Sequence, residues 1–406
     1  MGVGAKPERG SGEHRTRISA GEEFFAEHAE PLARLCHRMA ERFARGGRLL
    51  ATGGSPQARS DARHVAVEFV HPVIVGKRAL PALALTADGG PLERQVDLTA
   101  EADDMLMAFD GAGVALARER GCLTIAFDAV GAEWELVPPV EDPLVAQELA
   151  ETAYHLLWEL VHVFFEHRGL LEGRKARAVH DSGASSFLYP FLGESETDLD
   201  AVLDDVRATV LAKAAEIDEL AGQTLAENAE VIAAAAAELW VRLDRGGRLL
   251  ALGNGGSATD AMDAVADMRC PPHGWRPRRA LDLTEDTGVI TAVANDIGPD
   301  AIFARQVIAH GRPEDLLLAQ STSGNSANVI EALAEARRQG MATVAMVGYD
   351  GGRIASDALA DFVVVTRSEN IPRIQEAQAS AWHRLRELVE DESKVHARSS
   401  IEDVRA

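Results

Sequence analysis

A glycine-rich turn in the second half of the chain has the residues of an anion-binding site. The apolar run Leu249–Leu252 predicts a buried strand, and the Gly-Asn-Gly-Gly-Ser sequence of residues 253–257 predicts a sharp turn into a helix. Glycines let backbone N–H groups approach a ligand, and the start of a helix adds a partial positive charge. These features favour a phosphate site, and the alternative is a tight turn that binds no ligand.

A second turn, rich in hydroxyl groups, follows the next apolar run. Residues 316–320 predict a strand, residues 321–326 read Ser-Thr-Ser-Gly-Asn-Ser, and a helical pattern covers residues 327–339. Small hydroxyls and free N–H groups at a helix N-terminus suit a phosphate monoester. One serine or threonine would suffice to cap the helix, so four hydroxyls in six residues favour a ligand.

His64 and Glu68 form a third candidate group, in the first half of the chain. Their i, i+4 spacing puts both side chains on one face of a predicted helix. An imidazole and a carboxylate so placed can bind a metal or act as a paired acid and base. The spacing alone leaves open the alternative of an exposed His–Glu helix pair without chemical function.

The elements that must position these groups occur twice. The sequence Gly-Gly-Arg-Leu-Leu-Ala at residues 46–51 recurs at residues 246–251, which is 200 residues later. Both copies follow an amphipathic helix and precede a Gly-Gly-Ser turn. Such self-similarity indicates an internal duplication. We therefore predict two copies of one α/β unit, named the first repeat and the second repeat.

The two turns together resemble the sugar isomerase (SIS) domain and, within that family, the sedoheptulose-7-phosphate (phosphoheptose) isomerases. The resemblance covers residues 221–389, and it includes Asn295 and Asp296 between the turns and the Arg-Ile-Gln-Glu sequence at residues 373–376. It implies an α/β fold of two tandem SIS domains. Each would be a five-stranded parallel sheet sandwiched by helices, in the flavodoxin-like arrangement.

The resemblance also implies roles for individual residues. Seven residues of the two turns would hold the phosphate, namely Asn254, Gly255, Ser257, Ser321, Thr322, Ser323 and Ser326. Asp296 and Gln375 would contact the sugar. The catalytic pair, a carboxylate base and an imidazole acid from either repeat, would be drawn from Glu68, Asp267, His155 and His383.

A metal centre is implied by the same resemblance. The family carries a His and a Glu four residues apart, and a Gln and a His eight residues apart on its last helix, and these groups form its catalytic and zinc-binding centre. The corresponding residues of the first repeat are His64, Glu68, Gln147 and His155. Those of the second repeat are Asp263, Asp267, Gln375 and His383. We therefore expect zinc or another divalent metal, and no nucleotide cofactor.

Helix geometry leaves two arrangements open: the last helix begins between its Gln and its His, or a site draws on more than one repeat. Eight residues of a straight helix span about 12 Å and rotate by about 80°, so the Gln and the His of one last helix cannot easily reach one ion. The first repeat also lacks serines after its corresponding strand, where Asp110 would repel a phosphate. We hypothesise that one repeat lends base and metal groups to a site whose phosphate turns belong to the other.

Composition argues against several classes of function. The formal net charge of −23 argues against a nucleic-acid surface and against an anionic membrane surface. No apolar run reaches the length of about 18 residues that a membrane span needs, and the N-terminal sequence lacks the apolar core of a signal peptide. Three scattered cysteines without CxxC spacing indicate reduced thiols. We expect a cytoplasmic protein without a nucleic-acid or membrane partner.

The domain organisation follows from these boundaries. Residues 1–17 are expected to form a disordered tail, residues 18–173 the first SIS-like domain, residues 174–218 a linker with a helix, residues 219–395 the second SIS domain, and residues 396–406 a tail. Members of the family are commonly tetramers. By that analogy the chain would pair as a homodimer with four SIS units.

The function implied by the resemblance is isomerisation of a phosphorylated sugar. Such a reaction needs a base to move a proton between adjacent carbons and an acid or a metal to steady the enediolate. The expected reaction converts sedoheptulose 7-phosphate to D-glycero-D-manno-heptose 7-phosphate. Because each repeat lacks part of a site, the alternative is a non-catalytic sugar-phosphate-binding regulator or scaffold of the same family, similar to the DnaA-initiator-associating proteins.

Overall fold

The chain folds around two sheets of parallel strands. The structure is a computed structural model, and it describes residues 9–73, 77–166 and 198–405. The strands of the first repeat are β1 (Leu49–Gly53), β2 (Ala82–Thr86), β3 (Met105–Ala108), β4 (Leu123–Ala126) and β5 (Trp134–Glu135). Its helices are α1 (Arg9–Arg45), α2 (Pro56–Val70), α3 (Leu92–Thr99), α4 (Val114–Glu119) and α5 (Pro143–Glu166).

The second repeat has the corresponding elements. Its strands are β6 (Leu249–Leu252), β7 (Ala280–Asp282), β8 (Leu316–Ser321), β9 (Ala342–Gly348) and β10 (Phe362–Thr366). Its helices are α6 (Leu199–Glu227), α7 (Ala229–Asp244), α8 (Gly256–Arg269), α9 (Thr287–Asp296), α10 (Ile302–His310), α11 (Ala327–Arg338), α12 (Gly352–Ser356) and α13 (Ile371–Arg405).

The strand order is the same in both sheets. The first sheet runs β2-β1-β3-β4-β5 and the second runs β7-β6-β8-β9-β10, with every pair parallel. The register agrees as well, because Leu49 lies opposite Met105 in the first sheet and Leu249 lies opposite Leu316 in the second. This is the flavodoxin-like order, so the predicted fold of two tandem α/β units is confirmed.

Apolar runs explain where the central strands lie. β6 and β8 are buried along their whole length. Helices cover both faces of a parallel sheet, and its strands therefore consist of near-continuous apolar residues. Both turns predicted to bind phosphate leave the carboxyl ends of these two neighbouring strands, the edge of an open α/β sheet where ligands bind.

The two repeats pack on each other through corresponding helices. α2 packs against α8, and α5 packs against α13. Val206 and Val210 of α6 belong to the core of the first repeat, whereas Ile217 farther along α6 packs against Ala377 of α13. The helix predicted within the linker therefore joins the two repeats as a packed element.

The N-terminal helix corrects one expectation. α1 begins at Arg9, within the segment expected to be a disordered tail up to residue 17. The guanidinium of Arg17 forms ion pairs with Glu148 of α5 at 3.2 Å and with Glu387 of α13 at 2.6 Å. Because Arg17 bridges helices of both repeats, these ion pairs hold the C-terminal end of the expected tail against the rest of the chain.

The other predicted boundaries are described in part. α13 continues to Arg405 and so includes most of the expected tail at residues 396–406. α6 begins after Asp198, whose side chain accepts a hydrogen bond from the N–H of Asp200. Residues 1–8 and residues 174–197 of the expected tail and linker lie outside the described residues. Within the described ranges, no helix combines the length and the apolar character that crossing a bilayer requires.

Candidate active site

The two turns of the second repeat lie side by side at the carboxyl ends of β6 and β8. The amides of Asn254 and Asn328 exchange hydrogen bonds of 3.0 and 2.9 Å, which tie the first turn to the helix after the second. Gly255 has φ 59° and ψ −126°, a conformation that favours glycine. The hydroxyl of Ser321 accepts the N–H of Gly324 at 3.2 Å. The residues predicted to hold a phosphate therefore share one edge of the second sheet.

Hydroxyls of the second turn do not cap the helix that follows. Ser326 precedes α11, but its side chain makes no capping hydrogen bond. Ser323 accepts the N–H of Asn325, which lies before the helix, at 3.2 Å. The first N–H groups of α11 therefore keep their capacity to bind an anion.

A buried cluster between the repeats, named the first centre, combines side chains of α2 and α5 with side chains of α8 and α13. Its members are His64, Glu68, Glu151, Tyr154, His155, Asp260, Gln375 and Glu376. No side chain of the cluster is more than 7% exposed. The packing of the repeats on each other, rather than either repeat alone, assembles this centre.

The two nitrogens nearest His64 Nε2 have the spacing of ligand atoms around a tetrahedral metal ion. His64 Nε2 lies 3.2 Å from His155 Nε2, 3.3 Å from Gln375 Nε2 and 4.0 Å from Glu68 Oε1. Zinc–nitrogen bonds of about 2.05 Å separate tetrahedral ligand atoms by about 3.3 Å. Glu68 Oε2 is buried and has no hydrogen-bond partner among the described residues. The donors fit zinc, and Gln375 would meet it with its amide oxygen after a flip of the amide group.

Neighbouring groups orient both imidazoles. The hydroxyl of Tyr154 lies 3.0 Å from His64 Nδ1, and a carboxylate oxygen of Glu376 lies 2.9 Å from His155 Nδ1. Arg373 pairs in turn with Glu376 at 2.5 Å. With their Nδ1 atoms held, both rings direct Nε2 into the centre, just as a hydrogen bond to the other ring nitrogen orients histidine ligands at metal sites.

Burial sets the charge of the first centre. It lowers the pKa of His64 well below its usual range, an effect that His155 reinforces, and it lowers the pKa of His155 to about 3, with a further contribution from Arg373. Both imidazoles are therefore neutral near pH 7, which is the form that binds a metal. Burial and nearby carboxylates raise the pKa of Glu68 to about 8, within the range of a general base.

Glu151 belongs to this centre although the sequence analysis missed it. Ligand atoms of His64, Glu151 and His155 all lie within 4.8 Å of one another, and Glu151 Oε1 is buried without a hydrogen-bond partner in the described ranges. Gln147, Glu151 and His155 follow at intervals of four residues on α5. That i, i+4 spacing is the signal that identifies Glu151, and the second repeat has Ala379 at the same place.

A second centre is related to the first by exchange of the repeats. It contains three side chains from each repeat, namely Asp263, Asp267, His383, Asp61, Gln147 and Glu148. His383 Nδ1 lies 2.6 Å from a carboxylate oxygen of Glu148, just as His155 Nδ1 lies 2.9 Å from Glu376 in the first centre. The two contacts are reciprocal, as a two-fold relation between repeats requires.

The Gln and the His of each last helix face different centres. Gln375 lies beside His64 in the first centre, while His383 of the same helix lies in the second. Gln147 donates to Asp61 of the second centre at 3.4 Å, while His155 lies in the first. This separation agrees with the rotation and rise of eight helical residues.

The predicted ligand sets are corrected by this arrangement. Gln147 does not join His64 and Glu68, because its helix turns it toward the second centre, and Gln375 takes that place. Among the described residues, no group of three or more His and carboxylate ligand atoms within 4.8 Å of one another forms at the predicted ligands Asp263, Asp267 and His383, although His383 Nε2 lies 3.6 Å from a carboxylate oxygen of Asp267. These side chains also contact Ser60, Trp382 and Glu148, respectively.

The glycine-rich turn of the second repeat touches the first centre. A Cβ atom at Gly256 would lie 2.2 Å from Gln375 Nε2 and 3.1 Å from His64 Nε2. Glycine therefore lets the backbone of the turn lie directly against the side chains of the centre. The amide of Gln375 and the imidazole of His64 thus border the turn that was predicted to bind phosphate.

Comparison with known proteins identifies the family. The family model of the SIS domain matches residues 214–348. The phosphoheptose isomerase of Rhodospirillum rubrum is 42% identical over 168 residues, which make up 41% of this chain and 88% of that protein. The chain belongs to the SIS domain family.

A second relative and a solved structure extend the comparison, and the structure covers both repeats. The phosphoheptose isomerase of Roseiflexus sp. is 39% identical over 193 residues, which make up 47% of this chain and 91% of that protein. These two matches have the length of one repeat. The C-terminal domain of glucosamine-fructose-6-phosphate aminotransferase from Francisella tularensis resembles 93% of this chain over 95% of its own length, with a TM-score of 0.57 and 10% identity. That likeness concerns the fold, and it includes both SIS repeats.

In the first SIS repeat, a carboxylate occupies the turn that corresponds to the phosphate turns. Asp110 follows Met105 by five residues, as Ser321 follows Leu316 in the second repeat, and these two strand residues have the same register. The Asp110 carboxylate accepts the N–H of Gly54 at 2.6 Å and that of Ser55 at 3.0 Å. It therefore takes the donors that a phosphate would use.

Asp110→Ser is expected to open this turn to phosphate. Without ligand, we expect a loss of about 1 kcal/mol of stability, similar to the loss of a helix cap. Added inorganic phosphate should then raise the melting temperature by about 2 °C or more, because a ligand of the native state stabilises it. Differential scanning fluorimetry measures this in a Ser321→Asp background, which blocks the second-repeat turn. A phosphate response no larger than that of the Ser321→Asp parent would contradict the stand-in role of Asp110.

Asp296, predicted to contact the sugar, lies apart from both centres. It is exposed at the C-terminal end of α9, and its carboxylate accepts a hydrogen bond from Asn295 at 2.8 Å. α9 has no buried residue. The assignment of Asp296 to sugar binding therefore stays a prediction.

Proposed function

We propose that the chain is a phosphosugar isomerase that converts sedoheptulose 7-phosphate to D-glycero-D-manno-heptose 7-phosphate through an enediolate. The observation that best supports this proposal is the contact of the Gly256 turn with His64 and Gln375. It places the turn proposed to bind phosphate beside the side chains proposed for acid–base or metal chemistry. The similarity to phosphoheptose isomerases over one repeat supports the choice of sugar.

In this proposal the turns of the second repeat hold the phosphate. The N–H groups at the start of α8 and α11 supply hydrogen bonds and a partial positive charge. The hydroxyls of Ser257, Ser321 and Ser323 add further donors. Because the phosphate is remote from the reacting carbons, its binding energy aligns the sugar against the first centre.

Glu68 is the proposed base. Its carboxylate takes a proton from C1 of the open-chain ketose and returns it to C2, which yields the aldose. The unpartnered Oε2 of Glu68 and the raised pKa of this carboxyl support the assignment. Asp267, the other candidate, lies in the second centre and accepts the indole N–H of Trp382 at 2.9 Å, so we do not assign it this role.

The oxygens of the sugar need a partner as well. His155 Nε2 faces the centre, and it serves either as the acid that moves a proton between the two oxygens or as a metal ligand. His64, His155 and Gln375, with a carboxylate of Glu68 or Glu151, would hold the metal. When bound, zinc would act as a Lewis acid on a carbonyl or enediolate oxygen.

An isomerase assay with sedoheptulose 7-phosphate tests the proposal. We expect turnover to fall by more than about tenfold after chelation and to recover with added zinc, if the metal polarises the sugar. Activity that persists through chelation would instead assign His155 the role of acid. Thermal shift with sugar phosphates serves as the control for binding. Binding without turnover under either condition would contradict the isomerase proposal and favour a sugar-phosphate-binding regulator.

We also propose that two chains pair to give four SIS units, by analogy with the family. The contacts that form the first centre already lie within one chain, through α2, α5, α8 and α13. Pairing would therefore add to the assembly without supplying a side chain to that centre. Light scattering coupled to size-exclusion chromatography measures the oligomeric state.

A further inference from the structure

A cavity of about 540 Å³ lies at the second centre, between the carboxyl ends of the central strands of the first repeat and residues of α8, α13 and the segment after α8 in the second repeat. Ser55 and Ala58 at the start of α2 contribute to its lining, together with Phe109 after β3 and Phe127 after β4. In the second repeat, the corresponding edge carries the proposed phosphate turns. The cavity therefore lies where a duplicated sugar-phosphate site would be, and it is as large as many small-molecule sites.

A phosphate is not the ligand that this cavity suits. Asp110 already takes the N–H groups of Gly54 and Ser55. No lysine or arginine contributes to the lining in the described part of the chain. Two histidines do, His273 and His383, and His383 lies against Glu148 and Asp267 rather than against Asp61 or Asp263. Four aspartates do contribute to it, namely Asp61, Asp128, Asp263 and Asp267. Their carboxylates disfavour an anion and favour a cation.

Unmet hydrogen-bond acceptors border the cavity. Asp263 is 8% exposed, and one of its carboxylate oxygens accepts the hydroxyl of Ser60. The other oxygen has no hydrogen-bond partner among the residues that the structure describes. Gln147 Oε1 is likewise buried and without a partner in those residues. A buried acceptor without a donor loses the free energy of solvation, and a ligand N–H would restore it.

Another part of the wall is apolar and aromatic. The rings of Phe109 and Phe127 stack with centroids 5.2 Å apart and planes inclined by 13°. Val137, Val140 and Leu144 extend this surface. A ligand that meets both parts of the lining has a positive group at one end and an apolar body at the other.

We propose that this cavity binds a small organic cation, an amine whose ammonium group meets Asp61 and Asp263 and whose apolar body lies against Phe109 and Phe127. Charge-assisted hydrogen bonds to the carboxylates supply selectivity for the cation. The first repeat has thus kept the pocket of the duplicated unit and exchanged the class of its ligand. This site is the second centre, whereas the proposed isomerisation takes place at the first, so the success or failure of either is measured independently.

Three probes of one shape test the proposal by isothermal titration calorimetry on the full chain. Benzylamine carries a positive charge, benzyl alcohol is neutral and benzoate is negative. We expect saturable binding of benzylamine at one site per chain, binding of benzyl alcohol that is weaker by about tenfold or more, and no binding of benzoate. Equal responses to the three probes, or no response to benzylamine, would overturn the proposal.

Matched variants locate the binding. Ala146→Phe fills the cavity without altering a charged group and should abolish benzylamine binding. Asp61→Asn should weaken it by about tenfold or more. Asp260→Asn changes the corresponding position of the first centre, and it should leave the affinity for benzylamine within about twofold of the parent. Circular dichroism verifies the fold of each variant. Benzylamine binding that survives Ala146→Phe, or that responds equally to both Asn variants, would place the amine elsewhere and contradict the proposal.

Discussion

Glu68→Ala is expected to lower the turnover of the proposed isomerisation by about 10³-fold, within the range of a lost general base. The carboxyl of Glu68 is 1% exposed and borders the proposed phosphate turn of the other repeat through His64 and Gln375. Asp267→Ala removes the carboxylate at the same position of the second repeat, and it should cost less than about tenfold because it lies in the other centre. The two initial rates, measured on matched preparations, give the comparison.

Two controls accompany this pair of variants. Glu68→Gln keeps the volume of the side chain and removes only the base, so its loss of rate excludes a packing defect as the cause. Thermal unfolding of each variant shows that the fold is kept. Full activity of the Glu68→Ala chain would contradict a site composed of both repeats. An equal loss in the Asp267→Ala chain would contradict the assignment of the base to the first centre.

A mixing experiment separates a site within one chain from a site between chains. Glu68→Ala damages the first repeat, and Ser321→Asp blocks the phosphate turn of the second with a carboxylate like that of Asp110. If each chain builds its own centre, a mixture of the two variants stays inactive. Recovered activity would show that the catalytic contacts form between copies.

The strands of both sheets could be predicted from the sequence because short apolar runs mark their positions. β6 and β8 are apolar along most of their length, and each ends at a turn rich in glycine or serine. The repeated segment at residues 46–51 and residues 246–251 indicated the duplication directly. These are local signals, and a local signal needs no knowledge of how the repeats pack.

The composition of the centre depends on packing that no local signal records. The helical spacing of Gln375 and His383 indicated that the two side chains could not easily bind one ion. Only the contact of α2 with α8 and of α5 with α13 decides that Gln375 joins His64 rather than its own His383. Glu376 was visible in the quoted motif, but its hydrogen bond to His155 crosses from one repeat to the other.

The effect of a charged residue could be predicted from the sequence more easily than the residues that it contacts. Asp110 was predicted to repel a phosphate. The structure adds that its carboxylate accepts the backbone N–H groups of Gly54 and Ser55, as a phosphate would. The expected N-terminal tail failed for a related reason. Arg17 meets Glu148 and Glu387, which lie 131 and 370 residues away in the chain. Such distant partners cannot be read from composition.

Gly256→Ala is expected to lower kcat/KM by about 100-fold, because positioning errors near 1 Å at a reacting group have effects of that size. The added Cβ would lie 2.2 Å from Gln375 Nε2, so the amide must move. Gln375 is 1% exposed, and the contact atom lies at the end of its flexible side chain, so the amide shifts within the first centre. The φ of Gly256 is not positive, and alanine has a helix propensity higher than glycine by up to about 1 kcal/mol, so stability should be kept.

Gly54→Ala is the matched control for that prediction. It adds a methyl group to the corresponding turn of the first repeat, where the Cβ would lie 3.0 Å from a carboxylate oxygen of Asp110. Because a Cβ at Gly54 would meet Asp110 and Leu92 rather than a side chain of the first centre, the activity of this variant should stay within about twofold of the parent. Zinc content per chain, measured by mass spectrometry, should fall in Gly256→Ala alone if Gln375 is a ligand. Unchanged kcat/KM in Gly256→Ala would mean that the glycine-rich turn and the imidazoles do not act on the same sugar.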